Sequence, residues 1–446
     1  MYVVNKENNI RIMRDRFTCD LDFVKHFVRN KDDGLEAEYG PYRLTSHFQP
    51  IFSLAHQDVV GYEGLVRAHN RSGEELQPVH LFERGRVDFD EIFLDRLSRY
   101  LHSHNFSRLG NRRDWLFLNV SPKVIVSGKR YGDYFASLLT SAGIDPGRVV
   151  IEIVEQEIED EQALAEAAEY YRSMGCLIAI DDFSKGHSNF SRIWQLKPEI
   201  VKLDRSLIVQ ASSNISSQVL SQLVSLIHES GSLVLVEGIE TDSEALLAIN
   251  SGADFVQGYY FARPDNHLHD PEAKRLFRHL CDMYRQNAEH ELARSHESDR
   301  QYSALLTECA SKLTQGQGIK TASTPLLSMP HVKRCYLLDD EGWLWGEVNA
   351  LHGKGRNGAE KFFPIRREKG MVWSQWREFL KARELRGEVH MGAQHLSVND
   401  GKLSRTLSIN VMLDDREYLL CCDIDVQGLD LASRASFDAP AVFAVS

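Results

Sequence analysis

Six residues with oxygen-donor side chains stand inside or at the ends of apolar runs: Glu63, Asn119, Glu152, Asp181, Asp182 and Glu237. Lys202 and Gln257 occupy the same kind of place. A carboxylate within an apolar run is costly unless it is paired or binds a cation. Oxygen donors without clustered Cys or His suit Mg2+ or Mn2+ rather than zinc or copper. Adjacent aspartates let one carboxylate bridge two ions while the other binds one, as two-metal phosphoester hydrolysis requires. Singly, each acid is an ordinary strand-end residue. Together they predict a metal-dependent site.

The runs that carry these residues read as eight strands: 47–52, 59–66, 115–121, 149–155, 177–183, 200–204, 233–240 and 255–261. Amphipathic helical stretches, such as 159–175 and 217–231, lie between them. Alternating strands and helices predict a mainly parallel sheet, and eight repeats a closed barrel whose strand ends converge on one face. The alternative is an open doubly wound sheet. SLAHQD, between the first two runs, is too short for a parallel crossover, so those runs should form an antiparallel hairpin. The fold class is therefore α/β, a TIM-like (β/α)8 barrel with an antiparallel first strand.

At 446 residues, 43% apolar and 26% charged, the chain is long enough for two or three packed domains. A net charge of −12 argues against a general grip on DNA or RNA. No run is long enough to span a membrane, and the first residues are too charged for a signal peptide. Seven scattered cysteines without a CxxC pair suggest core thiols and a cytoplasmic protein.

Residues 1–40 read as an N-terminal extension, with Phe23, Val24, Phe27 and Val28 on one helix face, and 41–270 as the barrel. Residues 271–315 read as a long connecting helix, either pairing with its twin in a homodimer or packing on its own barrel, and 314–324 as a loop. Residues 316–446 read as a small α+β domain. It has a hairpin over 332–348, a helix over 371–384 and three strands over 395–426, joined by NDGK and DDRE turns. Trp343, Trp345, Trp373 and Trp376 line either a pocket or a core there, so an unknown small ligand is one reading.

The ordered motifs resemble those of the EAL-domain phosphodiesterases, which linearise cyclic di-GMP. They are Glu63-Gly64-Leu65-Val66-Arg67, FLNVS (117–121), IEIVE (151–155), Asp181-Asp182-Phe183, VKLD (201–204), VEGIE (236–240) and VQGYYFARP (256–264). The resemblance implies hydrolysis to linear pGpG with two Mg2+ or Mn2+ ions. It makes Glu63, Asn119, Glu152 and Asp181 ligands of the first ion. Asp181 and Asp182 would hold the second, with Asp181 bridging. Lys202 would hold the attacking water, and Glu237 would be the general base or a further ligand. Gln257 would orient the site and Glu155 anchor the loop after Asp182. Arg67 would meet a phosphate, while Gln49, Leu65, Tyr260 and Pro264 would line the guanine and ribose surfaces.

The layout after the barrel is similar to EAL proteins with a C-terminal PAS-like sensory domain, which implies regulation through the connecting helix. Two departures stand out. Gly64 replaces the motif's Ala, a change expected to be mild. The loop after Asp182 has Ser184 and His187 where the family usually has Gly and Tyr. Ser in place of Gly stiffens such a loop, so a catalytically weak cyclic di-GMP receptor is the alternative to an active enzyme.

Overall fold

The computed structural model describes residues 19–32, 34–83, 88–109, 113–121, 124–125, 134–154, 161–183, 190–212, 217–268, 271–349, 376–385, 387–397 and 403–426. The chain divides into two compact units, Met1–Arg285 and Gln286–Ser446.

In the first unit the strands are β1 (Val28–Lys31), β2 (Gly34–Tyr39), β3 (Tyr42–Ser53), β4 (Asp58–His69), β5 (Glu75–Leu76), β6 (Trp115–Val120), β7 (Val149–Val154), β8 (Leu177–Phe183), β9 (Ile200–Leu203), β10 (Leu233–Val236) and β11 (Phe255–Val256). The sheet runs β1-β2-β3-β11-β10-β9-β8-β7-β6-β4-β5. The additional pairing of β3 with β4 closes eight strands into a barrel. That closure excludes the open sheet. Along the barrel path β4-β6-β7-β8-β9-β10-β11 the neighbours are parallel. β3 is antiparallel to both β4 and β11, as the short turn before β4 requires.

The helices between these strands include Asp88–Leu109, Glu161–Ser173 and Ser217–Glu229. The helical stretch expected through Val28 is shorter. It spans Leu21–Lys25, and the N–H of His26 bonds back to Phe23 and Val24. Val28 instead opens β1 opposite Ala37 of β2, where a β-branched side chain fits better. Phe23 and Phe27 still pack together, edge-on to Phe93.

Two strands end sooner than the apolar runs suggest. β10 stops at Val236 and β11 at Val256, so 237–240 and 257–261 leave the sheet and cross. Ile239 N–H donates to the Gln257 carbonyl, and Tyr260 N–H to the Ile239 carbonyl. A Cβ at Gly258 would lie 2.1 Å from the Ile239 oxygen, so only glycine permits this approach.

The second unit is a six-stranded sheet. Its strands are β12 (Val332–Leu338), β13 (Leu344–Asn349), β14 (His390–Met391), β15 (His395–Leu396), β16 (Leu403–Leu413) and β17 (Arg416–Asp425). The order is β13-β12-β17-β16-β14, with β15 on β16, and the pairings are antiparallel. The expected DDRE turn is present, with Asp414 and Asp415 both at positive φ, as a two-residue type I′ hairpin demands. The NDGK turn and Trp373 lie outside the described residues.

Cys421 and Cys422 face opposite sides of β17. Cys421 packs with Tyr336, Leu338 and Phe379, whereas Cys422 packs with Leu306, Cys309 and Leu337. The long helix spans Pro271–Thr314. The expected loop over 314–324 contains a one-turn helix, Ile319–Ala322, which buries Ala322. The described part of the helix expected over 371–384 is Trp376–Glu384. Among the described residues no helix is long and apolar enough to cross a membrane.

Candidate active site

Ile51, Phe117, Val150, Ala179, Ile200, Leu235 and Phe255 form one apolar cluster, each from a different barrel strand. β4 contributes Gly61, where a Cβ would lie 2.9 Å from the Phe117 ring. Side chains on a strand return to the same face every second residue. Two residues beyond each member of this plug, toward one end of the barrel, come Gln49, Glu63, Asn119, Glu152, Asp181, Lys202, Glu237 and Gln257. On antiparallel β3 the step runs backwards, from Ile51 to Gln49. The residues singled out from sequence are thus the polar layer above an apolar plug.

Lys202 is the centre of this layer and is 1% exposed. Its Nζ lies 2.7 Å from Glu152, 2.9 Å from Asp181, 3.2 Å from Glu237 and 3.9 Å from Glu63. The Glu63 carboxylate accepts from Asn119 Nδ2 at 3.0 Å and from Gln257 Nε2 at 2.8 Å. Gln257 also donates to Gln49, which in turn donates to the Ala262 carbonyl. Burial, and next the charge of Glu63, pushes the Glu152 carboxyl well above its usual range. Burial likewise raises Glu237. Burial also acts on Asp181, but Lys202 and hydrogen bonds outweigh it and hold that carboxyl low. Four carboxylates (those of Glu63, Glu152, Asp181 and Glu237) therefore face one ammonium.

Asp181 and Asp182 reach the same place by a backbone device. Neighbouring residues on a regular strand point to opposite faces. Here the β8–β9 register shifts between Ile180 and Phe183, and Asp182 sits at φ 56°, in the left-handed region. This bulge turns both carboxylates toward Glu237, and oxygens of all three lie within 4.8 Å of one another.

That arrangement fits hard divalent cations. Glu152 is fully buried with the Lys202 ammonium 2.7 Å from its carboxylate, whose remaining lone pairs are free to take a cation. The donor set is carboxylate and amide oxygen, the chemistry Mg2+, Mn2+ or Ca2+ takes.

The profile of the EAL domain matches residues 39–264, half of the chain. The chain belongs to the EAL domain family.

Among its relatives is the cyclic di-GMP phosphodiesterase RocR of Pseudomonas aeruginosa, 29% identical over 55% of this chain and 62% of that protein. The chain therefore spans less than two thirds of that relative's length. The EAL-domain protein YkuI of Bacillus subtilis is 27% identical over 84% of this chain and 92% of its own length. The crystal structure of YkuI, in complex with substrate cyclic di-GMP and calcium, superposes with a TM-score of 0.72 at 22% identity, covering 86% of this chain and 96% of that one. At that identity the likeness is one of fold.

The remaining EAL-motif residues lie nearer the rim. Leu65 is half-buried on β4. The Arg67 guanidinium, also on β4, is 3.4 Å from Glu75 of β5. Tyr260 is half-buried against Phe261, and the Pro264 carbonyl faces His47 Nδ1 at 3.3 Å. Glu155 and loop residues 184–189 lie outside the described residues.

Sequence reading missed several groups that hold this EAL site in shape. Asp95 is buried on helix Asp88–Leu109, where the guanidinium of Arg99 donates to it. It accepts the Ser121 N–H at 2.8 Å, two residues after Asn119. Arg205 pairs with Glu240 and Glu244 and packs under Gly238, bracing the segment after Glu237. Glu244 completes a capping box with Thr241. Thr241 followed three residues later by Glu244 was a legible signal for the last of these.

Proposed function

We propose that this EAL protein hydrolyses cyclic di-GMP to linear pGpG with two divalent cations, Mg2+ or Mn2+. The carrying observation is the cluster of five carboxylates at the barrel mouth, four of them around Lys202 and Asp182 beside Asp181 and Glu237, a charge excess that two such cations would neutralise. The named activity of RocR and the substrate in the YkuI crystal support the same reading.

In this proposal Glu63, Asn119, Glu152 and Asp181 hold one cation, and Asp181 and Asp182 the other. Bound divalent cations would supply Lewis acidity and charge neutralisation at the scissile phosphate. Lys202 orients the attacking water and adds positive charge beside the phosphate oxygens. Glu237 accepts the water's proton. Gln257 fixes the Glu63 carboxylate through the 2.8 Å contact already described. The water oxygen bonds to phosphorus, one P–O bond to a ribose 3′ oxygen breaks, and that oxygen leaves as a hydroxyl. Arg67, Gln49, Leu65, Tyr260 and Pro264 form the nucleotide surface, and Glu155 anchors the loop after Asp182.

The second unit, in this proposal, is a PAS-like regulatory module acting through helix Pro271–Thr314, with a homodimer as the working form. A cytoplasmic location accords with seven free, buried cysteines. A catalytically weak receptor is the second reading, favoured by Ser184 and His187 in the loop. The test is chromatography of cyclic di-GMP incubated with the protein and Mg2+ or Mn2+. Metal-dependent pGpG that disappears in Glu63→Ala supports the enzyme. Tight nucleotide binding without product supports the receptor.

A further inference from the structure

The EAL motif reads Glu-Gly-Leu here, and the structure gives that glycine a partner. His102 is 3% exposed on helix Asp88–Leu109, behind the barrel wall. Its Nδ1 shares a 2.9 Å hydrogen bond with Ser46 Oγ of β3, and its ring meets Phe48 edge-on. A Cβ at Gly64 would lie 2.9 Å from His102 Cγ, 3.0 Å from its Cβ and 3.2 Å from Cδ2. A rotamer change would swing Cγ and Cδ2 away only by breaking the Ser46 hydrogen bond, and it would leave His102 Cβ, fixed by the helix, at 3.0 Å. The imidazole thus occupies the place of the methyl in the motif's alanine.

We propose that His102 is a positioning residue for Glu63, fitted to glycine at 64. The inference rests on the cation-binding reading of the site. Gly64 and Glu63 are consecutive on β4, so whatever presses on one from outside moves the other inside. They pair with Phe48 and Gln49 of β3, the strand that His102 also holds through Ser46. One ring therefore sets the spacing of both strands behind the Glu63–Gln257–Gln49 hydrogen-bond chain. A methyl at 64 drives β4 inward. Ligand geometry tolerates only about 0.5 Å of such displacement. Burial holds the His102 ring neutral, its pKa pushed down to about 3, so the device is steric and hydrogen-bonded rather than ionic.

The experiment compares full-length wild type, Gly64→Ala, His102→Ala and the double variant. It reads Mn2+ affinity by calorimetry without nucleotide, and thermal unfolding in EDTA. Outer groups that orient metal ligands are worth roughly 10–100-fold in affinity. Gly64→Ala should therefore weaken Mn2+ binding about tenfold or more, His102→Ala should weaken it less, and the double variant should regain most of the Gly64→Ala loss. Should Gly64→Ala fail to fold, recovery of folding and Mn2+ binding in the double variant carries the same meaning. Wild-type affinity in Gly64→Ala or in His102→Ala, or a double variant no better than Gly64→Ala, overturns the fitting. Wild type that binds no Mn2+ overturns both this inference and the proposed function. Wild type that binds Mn2+ but makes no pGpG overturns only the enzyme reading.

Discussion

Lys202→Met removes the ammonium at the centre of the site while keeping most of the side-chain volume. Lys202 is 1% exposed and lies within 3.2 Å of Glu152, Asp181 and Glu237, so its loss leaves buried carboxylates with no balancing charge. Breaking such an assembly from one side costs about 3–5 kcal/mol. Part of that cost disappears if the carboxylates bind protons. Glu152 and Glu237 already hold protons more tightly folded than unfolded, chiefly through burial. A group whose folded pKa is raised contributes stability below its unfolded pKa and loses it as pH rises through the folded value. The variant should therefore be weakest in alkali and approach wild type as the pH falls toward the ordinary carboxylate range. Mn2+ at about 100 times its dissociation constant would restore about 2.7 kcal/mol. The assay is urea unfolding of the first unit in EDTA at acid and alkaline pH, repeated with Mn2+. A Lys202→Met protein within about 0.5 kcal/mol of wild type in alkaline EDTA would refute this electrostatic reasoning, because surface-like substitutions fall in that range.

Three further outcomes follow from particular contacts. Gly258→Ala places a methyl 2.1 Å from the Ile239 carbonyl oxygen, so it should cost about 3 kcal/mol or more and lower soluble yield, read by thermal unfolding. His102 has a folded pKa near 3 against the ordinary 6.5, so its contribution is intact above about pH 6.5 and is lost as pH falls toward 3. Relative to His102→Gln, wild type should lose about 3 kcal/mol between about pH 7 and pH 4, and equal acid curves would contradict the buried neutral ring. In the second unit, Asp423 accepts from Arg334 at 2.6 Å, Thr406 at 2.7 Å and Tyr336 at 3.2 Å while 1% exposed. Asp423→Ala should destabilise that unit by about 3–5 kcal/mol in urea while sparing the barrel transition.

The barrel was legible because each strand carries the same two-residue grammar: an apolar plug residue, then a polar one on the same face. Glu63, Asn119, Glu152, Lys202 and their companions stood out as polar residues where apolar ones would cost least. The antiparallel entry was legible from a turn too short to cross the sheet. Other features depend on interactions between distant segments. The early ends of β10 and β11 follow from the Gly258 crossing, which neither run announces. Asp182 lies in a run that reads as regular strand, and only the bulge at positive φ brings it beside Asp181. Gly64 read as a mild exchange because the His102 ring lies 38 positions away in sequence. Nothing in the residues around Asp95 marks its carboxylate as the group that holds the end of the Asn119 strand.

The central claim is cation-dependent attack of water on cyclic di-GMP at this carboxylate ring. Its most direct test is turnover in oxygen-18 water, with mass spectrometry of the product, in the presence of Mn2+ and then of EDTA. The account predicts pGpG carrying one solvent oxygen on its terminal phosphate with Mn2+, and no product with EDTA. Unlabelled product, or labelled product formed equally in EDTA, would contradict it.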